Sequence, residues 1–96
     1  MGLEVTVDLA ERDPSIARVL DTLRTRGATC AIVMVDGQLR MPTADPPHEW
    51  REVRLKTPAG MITITRRGRT IALTVFGNAD ETLREMQRHV ADAFRA

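Results

Sequence analysis

The 96-residue chain carries 14 Lys+Arg against 13 Asp+Glu, a net charge of +1, with 43% apolar and 28% charged residues. That balance fits one globular domain over residues 1–96 and excludes a disordered chain. No apolar run approaches the ~20 residues of a membrane helix, and a single cysteine, Cys30, excludes an internal disulfide and a Cys-cluster metal site.

The elements follow in chain order. Leu3, Val5, Val7 and Leu9 alternate with Glu4, Thr6 and Asp8, the period of a strand with one buried face. Asp13 followed by Pro14 predicts a capped helix start. Ile16, Val19, Leu20 and Leu23 form its apolar stripe, and Gly27 its terminator. Residues 28–35, ATCAIVMV, read as a central strand, too short and β-branched for a helix. Asp36-Gly37 predicts a two-residue hairpin turn, pairing Val35 with Gln38, Met34 with Leu39 and Val33 with Arg40 in a short return strand to Met41. The three prolines of residues 42–49 make that segment a loop.

A three-strand meander is expected next, over 50–57, 61–66 and 69–76, with turns at Pro58-Ala59-Gly60 and Arg67-Gly68. A turn at Arg67-Gly68 sets Arg66 opposite Arg69, Ile64 opposite Ile71 and Ile62 opposite Leu73; the first hairpin sets Leu55 opposite Ile62 and Val53 opposite Ile64. Both place Val53, Leu55, Ile62, Ile64, Ile71 and Leu73 on one face, which a one-residue slip would expose. Asn78, with Glu81 three residues on, predicts a capping box for a last helix whose buried stripe is Leu83, Met86, Val90, Ala93 and Phe94. The order β-α-β-β-β-β-β-α describes an α+β two-layer sandwich, with two helices on one face of a mostly antiparallel sheet.

Few residues suggest catalysis. Cys30 sits in an apolar strand, where a thiol acts as a small hydrophobe. His48 follows two prolines in a loop with no second His beside it, and His89 lies on the polar side of the last helix. No phosphate-loop, dinucleotide, zinc-protease, nucleophile-elbow or zinc-finger spacing occurs. The chain reads as a non-enzyme without cofactor or metal. Its first residues, MGLEVTVDLAERD, place acids where a secretory signal carries bases, so a cytoplasmic location away from membranes is expected.

Charge is unevenly spread. Residues 1–49 hold five bases and eight acids, residues 50–77 six bases and one acid, and residues 78–96 three bases and four acids. The meander is a basic band, with Arg51, Arg54, Lys56, Arg66, Arg67 and Arg69 as candidate contacts for an anion, an acidic protein surface or nucleic acid. Two Phe, one Trp and no Tyr are too few for a base-stacking platform. Thirteen arginines to one lysine fit either GC-rich coding or bidentate anion recognition. The meander's outward face carries Glu52, Arg54 and Lys56, then Met61, Thr63 and Thr65, then Thr70, Ala72, Thr74 and Phe76. Two helices cannot cover both faces, so Val33, Val35, Met61 and Phe76 are candidate dimer contacts on this half-apolar open face.

The strand and turn ATCAIVMVDGQL, the following meander, and the strand-to-helix run TIALTVFGNADETLREMQRHV make residues 28–94 resemble the roadblock family of small dynein light chains and their bacterial relatives. In place of that family's middle helix this chain has the loop 42–49, and the strand 3–9 precedes its first helix. The resemblance implies a non-enzymatic homodimer that regulates small GTPases or holds larger assemblies together. The element order also resembles one half of a TATA-binding protein, a fold that binds DNA through its open sheet face; of that family's wedge phenylalanines, only Phe76 lies on the corresponding face. The leading expectation is a homodimeric interaction or regulatory module; the alternative is a nucleic-acid-binding domain using the basic meander 50–70.

Overall fold

A computed structural model describes residues 3–10, 15–41, 47, 49–76 and 80–95. Its elements are β1 (Leu3–Asp8), α1 (Ile16–Thr25), β2 (Ala31–Val35), β3 (Gln38–Leu39), β4 (Glu52–Thr57), β5 (Gly60–Arg67), β6 (Thr70–Val75) and α2 (Glu81–Arg95). The expected α+β order is therefore present. The strands form one sheet in the order β1-β6-β5-β4-β2-β3, and every neighbouring pair is antiparallel.

Strand alternation builds the core. Val7, Val53, Leu55, Ile62, Ile64, Ile71, Leu73 and Val75 are all buried, and they meet Ile16, Val19 and Leu23 of α1 and Val90, Ala91, Ala93 and Phe94 of α2. α2 packs on β1, β5 and β6 and against α1. Gln87 is the polar exception in this layer. Buried on α2, its Nε2 donates to the carbonyls of Leu73 (2.7 Å) and Leu3 (3.1 Å), which satisfies an amide that burial would otherwise penalise. The first strand and β2 run the same way with three strands between them, so α1 is the crossover that spans the sheet.

The helix ends differ from expectation. Ser15 caps α1, its hydroxyl accepting from the Arg18 N–H at 3.3 Å. Asp80 holds the corresponding place before α2, with Oδ1 accepting from Leu83 N–H at 2.9 Å. Both are short polar side chains three residues ahead of an orphan N–H, as a cap requires. Asp13, Pro14 and Asn78 lie outside the described residues. Gly27 ends α1 as expected, at φ +90°, with Ala28 N–H bonding back to the Leu23 carbonyl.

Two strand registers need correction. The β5–β6 turn is Gly68-Arg69, not Arg67-Gly68: Arg67 pairs with Thr70, Arg66 with Ile71 and Ile64 with Leu73. Gly68 takes φ +62° at the first central position, which is where a type II′ turn needs glycine. The slip preserves parity, so the buried face is unchanged, but Arg66 no longer faces Arg69. The second correction concerns β2, which is next to the sheet's edge rather than central. Its Asp36-Gly37 turn forms as expected, with φ of +51° and +83°, Val35 opposite Gln38, Met34 opposite Leu39, and Arg40 N–H bonded to the Val33 carbonyl at 2.9 Å. On its other side, a bulge between Ile32 and Met34 absorbs Val33. Val35 consequently pairs with Val53 and packs on the core, while Met34 takes the outward position opposite Arg54.

Candidate functional site

The face opposite the helices is built in cross-strand rows. Glu4, Thr74, Thr63, Arg54, Met34 and Leu39 form one row across the whole sheet. Thr6, Ala72, Thr65 and Glu52 form the next, and Asp8, Thr70 and Arg67 the third. Beyond the first row, Ala31, Lys56 and Met61 align, and continuing the β5–β6 register sets Met61 opposite Phe76. These two residues are 46% and 64% exposed, wet apolar surface at one end of the sheet. Of the four expected dimer contacts, Met61 on β5 and Phe76 just past the end of β6 are exposed. Val35 is turned inward and Val33 sits in the bulge.

The open face is electrically mixed. Glu4, Asp8 and Glu52 balance Arg54, Lys56 and Arg67. Arg67 reaches across β6 to Glu4 at 3.2 Å, and Arg54 lies 3.7 Å from Glu52. Ala72, on β6 beneath that span, is fully buried although it faces away from the helices. The six basic residues of the meander therefore do not share one surface. Arg54, Lys56 and Arg67 belong to the open face. Arg66 falls on the opposite side, two residues on from buried Ile64, and Arg69 sits in the turn after β5.

Arg51 and Arg66 meet at the end of the sheet, where Arg66 N–H donates to the Arg51 carbonyl at 2.7 Å. They line an open cleft of about 590 Å³ with Asp36, Glu49, Trp50 and Gly68. Asp36 organises this corner. Its Oδ1 accepts from the N–H groups of Arg51 (2.8 Å) and Glu52 (2.9 Å), and its own N–H donates to the Glu52 carbonyl (2.8 Å). Those hydrogen bonds, led by the one from Glu52, hold its carboxyl below the ordinary aspartate range. Among the described residues the cleft's two acids match its two guanidinium groups, Asp36 and Glu49 against Arg51 and Arg66. Trp50 forms its inner wall: it is buried against Phe94, ring centroids 6.4 Å apart. Sequence reasoning assigned Trp50 no role. It follows the proline loop and precedes the alternating run of β4, so its burial depends on where α2 ends.

Cys30 is half-buried beside α1, and burial pushes its thiol pKa up, away from the reactive thiolate. His89 is exposed on α2; His48 lies outside the described residues. Among the described residues no three His, Cys, Asp or Glu side chains are grouped to hold a metal ion, and no helix is long and apolar enough to cross a membrane. No family model, curated protein or solved structure matches the chain.

Proposed function

We propose that the chain is a non-catalytic interaction module whose contact surface is the open sheet face and whose first partner is a second copy of itself. The carrying observation is the exposure of Met61 and Phe76, which by strand parity lie on the face that neither helix covers. The charge pattern favours self-association. The face's acids concentrate on β1 and its bases on β4 and β5, so a two-fold axis parallel to the strands lays the acidic side of one copy over the basic side of the other. A face with as many acids as bases suits nucleic acid poorly, because affinity for phosphate backbones comes from uncompensated Lys and Arg. The roadblock resemblance of residues 28–94 points to the same class of regulatory or scaffolding homodimer.

Sedimentation tests the reading. The parent should run at no less than twice its 10.7 kDa mass at micromolar concentration, and Met61→Glu/Phe76→Glu should halve the observed mass. A parent that stays monomeric at millimolar concentration overturns it, and so does a double variant that runs with the parent. Salt-sensitive retention of the parent on DNA, with no self-association, would favour the nucleic-acid alternative.

A further inference from the structure

The first strand ends the sheet with one neighbour, β6, and its other edge faces no strand among the described residues. The ladder tells which backbone groups that edge presents. Leu9 N–H donates to the Arg69 carbonyl at 2.8 Å, in line with the β1–β6 register. In an antiparallel ladder hydrogen-bonded and non-hydrogen-bonded pairs alternate, so Leu3, Val5 and Val7 also spend their backbone groups on β6. The N–H and C=O groups of Glu4, Thr6 and Asp8 point out of the sheet.

Apart from the charges of Glu4 and Asp8, this edge lacks the usual protections. The strand runs six residues in unbroken register, with no proline, lysine or bulge. The opposite edge, β3, is only two residues long. Leu3 adds exposed apolar surface: it shares the parity of buried Val7 yet is 44% exposed at the sheet's rim.

We infer that β1 pairs antiparallel with β1 of a second copy, about a two-fold axis at Val5, joining the two sheets into one of twelve strands. The register follows from the free groups and the charges. Glu4, Thr6 and Asp8 have hydrogen-bonding capacity to share, so the register sets residues of this parity opposite one another across the axis. An axis at Val5 sets Glu4 of each copy opposite Thr6 of the other, and Leu3 of each opposite Val7 of the other. That seats the exposed Leu3 at the rim of the partner's apolar core, beside Val7, on the helix side. An axis at Thr6 would instead set Glu4 opposite Asp8 twice, and like charges directly opposite are destabilising. The contact uses the edge rather than the open face, so it stands independently of the face-to-face reading, and both contacts can form in one assembly.

Disulfide trapping reads the register. With the axis at Val5, the two Val5 residues form a non-hydrogen-bonded pair with Cα atoms about 4.5 Å apart, inside the span a disulfide bridges. In a Cys30→Ser background, Val5→Cys should oxidise to a covalent dimer and Thr6→Cys should not. Thr6→Pro supplies the second arm. Its N–H points away from β6, so proline there removes no hydrogen bond within the chain while blocking the edge. That variant should keep the parent's circular dichroism and show half the parent's assembly mass. The pairing is overturned if Val5→Cys stays monomeric under oxidation, or if folded Thr6→Pro sediments with the parent. Met61→Glu/Phe76→Glu in the same Val5→Cys background separates the two contacts: cross-linking should persist when the face contact is lost.

Discussion

Substituting Gly37 by valine isolates a backbone effect. The residue takes φ +83° in the Asp36-Gly37 turn, and a Cβ placed on it meets no atom within 4 Å. No clash arises and no contact is lost, so any destabilisation comes from forcing an L-residue into left-handed space. That costs roughly 1–2 kcal/mol for an ordinary residue, with more for a β-branched one whose χ1 is already restricted. The reduced freedom of the unfolded chain returns about 0.4–1 kcal/mol. A net loss of about 1–2 kcal/mol follows, and a fall in Tm of roughly 4–16 °C for a domain of this size. Thermal and urea melts at neutral pH measure it. Gly37→Asn serves as the control, because asparagine tolerates this region, and should lose less than half as much. The reasoning is refuted if Gly37→Val melts with the parent, or if asparagine and valine cost the same.

Three further outcomes are expected. Asp36 has its pKa lowered by the Glu52 and Arg51 N–H groups, so its contribution is present above the unfolded value of about 3.9 and is lost as pH falls through the lower folded value; the urea midpoint of the parent should fall more steeply below pH 4 than that of Asp36→Asn. Phe94→Ala should cost about 3–5 kcal/mol by opening a cavity, and the sole tryptophan, Trp50, should report it as a red-shifted emission from the folded state. Cys30, its pKa raised by burial, should react with a disulfide reagent at pH 8 more slowly in the folded protein than in urea-unfolded chain.

Much of the fold is legible in local periodicity. The alternation from Val53 to Leu73 places six side chains on one buried face, and that survives even a misplaced turn, because shifting the β5–β6 pairing by a two-residue offset returns every residue to the same side. The stripes of α1 and α2 and the Asp36-Gly37 turn are likewise properties of neighbouring residues. The candidate site was only partly legible. Met61 and Phe76 follow from strand parity, whereas Val35 does not, because the bulge at Val33 exists only where β2 meets β4.

What the tertiary structure alone decides is which distant segments meet. Nothing near Leu3–Asp8 specifies β6 as its partner, yet that pairing sets which edge of the sheet is left open. Trp50 becomes core because α2 brings Phe94 to it. Side-chain period and turn chemistry act over a few residues and are written in order along the chain. Strand partners, bulges and burial are chosen by the summed packing of segments tens of residues apart, which no local pattern encodes.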